Sequence, residues 1–175
     1  PVFKEKGMTV TMDVTPISVS ENWSMCYDRK RLSESVDYIV LMAYDQHWAT
    51  SPVAGSVAQY TWVEASLKKV LEEVPREKLI LGMPFYTRLW TIEETTEGEK
   101  VTSLALSMED AKKFIEENSI SLEWDEESGQ YYGEVVKEDK TYKIWLEDDE
   151  SLRLKASLVN KYGLAGIATW IKGFE

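Results

Sequence analysis

Residues 36–48 read VDYIVLMAYDQHW, and within them Ile39, Val40, Leu41, Met42 and Ala43 follow one another without a polar interruption. A strand with one solvated face alternates apolar and polar residues. An unbroken apolar run of this length instead fits a strand covered on both faces, as in a parallel sheet packed under helices. Parallel strands deliver chemistry at their C-terminal ends. Here that end carries Tyr44, Asp45, Gln46, His47 and Trp48. A carboxylate beside a phenol and an indole can bind hydroxyls and offer a flat ring face, as a sugar site requires. The same cluster also suits a strand that simply runs into a polar loop.

The neighbouring segments repeat a strand, loop and helix order. Residues 8–14 (MTVTMDV) are rich in β-formers and predict a first strand. A short helix is expected near residues 28–33, after which residues 36–44 form the second strand. The loop 49–59 is rich in small residues. The spacing of Trp62, Ala65, Val70 and Leu71 predicts a helix over 62–74, with Thr61 and Glu64 as a capping box and Pro75 as its stop. Residues 79–85 (LILGMPF) predict the third strand. A helix over 151–162, ended by Gly163, leads to a fourth at 165–170 (AGIATW). Strands alternating with helices indicate an α/β fold with a parallel sheet and right-handed crossovers.

Charge marks a break in this pattern. Between Glu93 and Glu150 there are 19 acids and 6 bases, so this stretch holds essentially all of the net charge of −11. Residues 90–145 therefore read as a separate acidic α+β unit inserted into a main domain formed by 1–89 and 146–175. Its expected parts are a helix over 107–118 capped by Ser107 and Asp110, a short strand near 121–124, and strands near 131–136 and 141–145 around a turn at Glu138 and Asp139. The acidic run Glu147, Asp148, Asp149 and Glu150 precedes a helix, where it would offset the helix dipole.

Composition narrows the function. The 175 residues are 43% hydrophobic, as in a globular protein, and a net charge of −11 argues against nucleic acid as a partner. No apolar run approaches the length of a membrane span. One cysteine, Cys26, excludes an internal disulfide, and with His47 as the lone histidine a metal site is not expected. No cofactor motif occurs. Residues 1–6 lack an initiator Met and an apolar signal core, so the chain reads as a piece of a longer one.

Three motifs carry a resemblance: MAYD at 42–45, GMPFYTRLW at 82–90 and GIATW at 166–170. In this order, with an insert in the last gap, they resemble the second half of a family 18 glycoside hydrolase, of the chitinase-like group. The resemblance is nearest to the bacterial secreted branch associated with cell walls and spores. It implies strands five to eight of a (β/α)8 TIM barrel, with the small α+β insertion between the last two strands. The family's DxxDxDxE signature, which supplies the general acid, does not occur in this chain.

The resemblance further implies a site and a reaction. The substrate class would be β-1,4-linked N-acetylglucosamine polymer, either chitin or peptidoglycan glycan, cleaved by substrate-assisted retaining catalysis. Tyr44 would hold the acetamido group in attack geometry, and Asp45 would bind sugar hydroxyls or the acetamido N–H. Trp170 would floor the subsite and Met42 line it; Tyr86 and Arg88 would contact neighbouring sugars, with Gln46, Trp48 and Trp90 as further candidates. Read without the resemblance, Trp170 fits plain core and Arg88 a surface ion pair, Trp62 reads as packing, and His47 as a structural loop residue. The alternative function is a non-catalytic, chitinase-like carbohydrate-binding protein. The inner face of the half-barrel is expected to pack against a missing N-terminal half or against a second copy.

Overall fold

A computed structural model describes residues 2–174. After a single helical turn, α1 (Val2–Glu5), the chain forms β1 (Thr11–Val14), a π-helical turn (Glu21–Met25), α2 (Arg29–Ser35) and β2 (Tyr38–Met42). Helix α3 (Tyr60–Val70) leads through a 3-10 turn (Arg76–Lys78) into β3 (Leu79–Pro84). There follow β4 (Tyr86–Thr95), β5 (Gly98–Ser107), α4 (Met108–Glu117), β6 (Leu122–Asp125), β7 (Gln130–Lys137), β8 (Lys140–Leu146), α5 (Asp149–Tyr162) and β9 (Gly166–Trp170).

These strands make two sheets. The first has four parallel strands in the order β1-β2-β3-β9; the second has five antiparallel strands in the order β5-β4-β8-β7-β6. The main core lies between the parallel sheet and its helices. Ile39, Leu41, Leu79 and Leu81 are fully buried against Leu67 and Val70 of α3 and Leu158 of α5. The opposite side of β2 differs from the expectation of burial on both faces. Val40 and Met42 are only half-buried, because no element among the described residues covers that side. A second, smaller core lies under α4, where Ala111 and Ile115 meet Ile144 and Leu146.

Local chemistry explains most boundaries. Asp148 caps α5 by accepting from the main-chain N–H groups of Glu150 and Ser151, and Gly163 ends the helix in the left-handed conformation at φ 67°. Ser107 caps α4 through the N–H of Asp110. The β7–β8 turn has Glu138 and Asp139 at φ 49° and 62°, the geometry of a two-residue hairpin turn. The capping box expected at Thr61 and Glu64 does not form. Helix α3 begins earlier, with Gln59 at its N-cap, and Glu64 instead accepts from Lys161 at 2.6 Å and Tyr162 at 2.7 Å, tying α3 to α5.

Gly82 is required by the close approach of β2 and β3. A Cβ there would lie 2.6 Å from the Leu41 carbonyl oxygen, a main-chain atom that cannot step aside without moving the strand. Gly82→Ala is expected to cost about 1–3 kcal/mol, read as a lower urea midpoint with unchanged slope. A wild-type midpoint would refute the contact.

Candidate functional site

Parallel pairing brings the C-terminal ends of β1, β2, β3 and β9 to one edge of the sheet. Tyr44 and Asp45 follow β2, Tyr86 and Arg88 open β4 directly after β3, and Trp170 ends β9. Asp45 has φ 57°, a left-handed backbone that Asp tolerates better than most residues. Its carboxylate accepts from the Tyr86 hydroxyl at 2.6 Å and lies 3.4 Å from an Arg88 guanidinium nitrogen. The Arg88 guanidinium also sits 5.7 Å from the centre of the Tyr86 ring. Residues 41–43 positions apart in sequence thus form one polar knot. The Arg88 Nε is buried and has no hydrogen-bond partner.

The two phenols are set up as donors. Burial first, then the charges of Asp13 and Asp45, pushes Tyr44 up to about 12. Burial and its bond to Asp45 push Tyr86 up further. Both therefore keep their protons across the physiological range. Trp170 is 54% exposed, with its ring available at the same edge, two strands from β2. At about 4.8 Å per strand that is roughly 10 Å from the β2 terminus. Its peptide bond to Ile171 is cis.

The remaining candidates divide. Met42 is half-buried on the uncovered side of β2. Gln46 is spent on structure, since its side-chain oxygen accepts from the Gln59 N–H at 3.1 Å and its nitrogen donates to the Gln59 side chain at 3.3 Å. Trp48 is 52% exposed. Trp90 is a correction. It is completely buried, and its indole donates to the Gly55 carbonyl at 2.8 Å, so it offers no face to a sugar. The loop that follows β2 folds back over β4 and covers it. His47 packs flat on Gly55 and bonds the Ser56 carbonyl at 2.8 Å, as a structural loop histidine does. Among the described residues no group of His, Cys, Asp and Glu side chains could hold a metal ion.

Two features have no counterpart in the linear reading. A cleft of about 630 Å³ opens beside Tyr44 and Asp45, and Trp23 and Trp62 line it with Trp48. Trp23 stands isolated in a polar stretch, which was its only signal; Trp62 both packs on the core and faces this cleft. The other is a buried ion pair. Glu147 and Lys155 are both essentially inaccessible, with the ammonium 2.9 Å and 3.0 Å from the two carboxylate oxygens. Gln130 and Ser151 also donate to Glu147, and Gln130 accepts from Ser56. This network ties the second sheet to α5 and to the loop that carries Asp45.

Comparison with known proteins identifies the family of the chain. The profile described as Glycosyl hydrolases family 18 matches residues 3–173. The "Uncharacterized glycosylase YvbX" of Bacillus subtilis is 25% identical, over 89% of this chain and 44% of its own length. The cortical fragment-lytic enzyme of the same organism is 24% identical, over 99% of this chain and 41% of its own. The crystal structure of a chitinase from Chromobacterium violaceum superposes with a TM-score of 0.84 at 26% identity, over 99% of this chain and 53% of that one. The chain therefore has an α/β fold similar to those of chitinase domains. It spans less than half the length of either Bacillus relative.

Proposed function

The chain belongs to glycosyl hydrolases family 18, and from that premise we propose that it is part of a glycosidase acting on β-1,4-linked N-acetylglucosamine polymer. The observation that carries this reading is the Tyr86–Asp45–Arg88 knot beside Tyr44, at the C-terminal edge of a parallel sheet that also ends in an exposed Trp170. Tyr44, a phenol that keeps its proton, donates to the acetamido oxygen and holds it toward the anomeric carbon. Asp45, oriented by Tyr86 and Arg88, takes the acetamido N–H or a hydroxyl. Trp170 stacks under the ring, and Met42 lines the floor. The acetamido oxygen attacks its own anomeric carbon while a carboxylic acid protonates the leaving oxygen.

On this reading the parallel sheet is strands five to eight of a (β/α)8 barrel, and residues 90–145 are an insertion before the last strand. The half-buried side with Val40, Met42 and Ile80, and the unpaired edges at β1 and β9, suit further barrel strands packed against them. The name of the cortical fragment-lytic relative supports a place at the cell wall or spore.

Because the DxxDxDxE signature that supplies the family's general acid does not occur in this chain, and Asp45 is held by Tyr86 and Arg88, the chain alone is expected to bind but not to turn over substrate. The assay is fluorophore release from an N-acetylglucosaminide oligomer, alongside a binding titration of the same oligomer. Turnover comparable to that of intact family members would overturn the assignment of roles. Absence of binding would overturn the site itself.

A further inference from the structure

Three indoles face one continuous cleft: Trp23 from the π-helical turn after β1, Trp48 from the loop after β2, and Trp62 on α3. Tyr44 and Asp45 line it next to the candidate site, so the two are continuous. Lys69 also lines it, two turns along α3 from Trp62, which is about 10 Å. The volume of about 630 Å³ lies within the usual range of small-ligand sites.

The two most exposed indoles are held in place without a ligand. Trp23 and Trp48 are each 52% exposed. The Trp23 carbonyl accepts from the Thr15 hydroxyl at 2.6 Å. The buried Arg29 guanidinium in turn donates to the Thr15 carbonyl at 2.9 Å and the Ser24 hydroxyl at 3.0 Å. The Trp48 loop is pinned where the Ala49 carbonyl accepts from Ser103 at 3.0 Å and the Gly55 carbonyl accepts from Trp90 at 2.8 Å. The Trp48 indole N–H donates to the Thr50 hydroxyl at 3.1 Å. Flat faces held open this way bind rings with little ordering cost.

Charge then selects among rings. The protein carries −11, yet the cleft wall includes a cation, Lys69, beyond Trp62 on α3. Asp45 is occupied by Tyr86 and Arg88, and Lys68 pairs with Glu64 at 3.5 Å. Lys69 is exposed and has no carboxylate partner among the described residues. We propose that the cleft extends the sugar site and takes further residues of an acid-substituted hexosamine chain, with Lys69 pairing a carboxylate borne by the sugar. This inference rests on the sugar-site reading above. It favours the carboxylated glycan of peptidoglycan over neutral chitin.

The test is a tryptophan-fluorescence titration of this chain with two probes of equal length, an N-acetylglucosamine tetramer and an alternating N-acetylglucosamine–N-acetylmuramic acid tetramer. The carboxylated probe is expected to bind about fivefold more tightly, the scale of a partly exposed ion pair. That margin should shrink between about 20 mM and about 300 mM salt. Lys69→Met should abolish the preference, so that the two probes bind alike and the salt dependence of the margin is lost. Trp23→Ala should weaken both probes about tenfold, with the circular dichroism of the folded protein retained. No preference in the wild type, or a preference that survives Lys69→Met, overturns the proposal; the lysine then only offsets the negative end of α3. If Trp170→Ala abolishes binding while Trp23→Ala and Lys69→Met change nothing, the sugar site stands and the extension falls. If neither probe binds any version of the chain, both readings fall together.

Discussion

Replacing Lys155 with methionine is expected to destabilise the protein by about 3–5 kcal/mol, because it strands the Glu147 carboxylate in a site that water does not reach. In a domain of this size that corresponds to a fall in melting temperature on the order of 10 °C. The loss should depend on pH with a definite sign. Burial raises the Glu147 carboxyl above its ordinary range, against the opposing pull of Lys155. Without the lysine only the raising influence of burial and the weaker hydrogen bonds remain, so the folded variant holds its proton to higher pH than the unfolded chain. A group raised in this way contributes its stability below the unfolded value and loses it as pH rises through the folded one. The variant's deficit should therefore be largest near neutrality and shrink toward acid. Adding Glu147→Gln to Lys155→Met should recover part of the loss, since no buried charge is then left alone. Urea denaturation of the wild type, of Lys155→Met and Glu147→Gln singly, and of the double variant, at two pH values, decides the matter. A deficit below about 1 kcal/mol at neutral pH would mean that water reaches the pair.

The largest functional effect is expected at Tyr44. On the proposed mechanism its hydroxyl is a positioned donor to the acetamido oxygen, and removing one such donor typically costs about 10²–10³ in kcat. Tyr44→Phe, made in the longer protein that contains the carboxylic acid, should show that loss with KM changed only a few-fold, because the ring and its packing on the core remain. Trp170→Ala in the same protein should instead raise KM, since an exposed stacking face serves ground state and transition state alike. Since Tyr44 is pushed up to about 12, the Tyr44→Phe deficit should be constant between about pH 5 and pH 9. A deficit under about fivefold would remove Tyr44 from the mechanism.

The linear sequence by itself determined what depends on residues a few positions apart. The apolar runs at 39–43 and 79–83 set two parallel strands. Ser107 and Gly163 set helix ends, and Glu138 with Asp139 set a turn, because caps and tight turns are satisfied within their own segment. The positions of Tyr44, Asp45, Tyr86, Arg88 and Trp170 at strand ends followed from the same runs. What the tertiary structure decided are the long-range approaches. Trp90 is buried because the loop after β2 folds over β4, an encounter between residues 35 positions apart. Glu64 left its expected cap because Lys161 and Tyr162 of α5 came within reach. Glu147, one of four acids in a row, became the buried partner of Lys155 while its neighbours stayed at the helix end. No local pattern separates those acids; only the docking of α5 against the second sheet does. The cleft between Trp23, Trp48 and Trp62 has the same origin, since its walls come from three segments that the parallel sheet brings side by side.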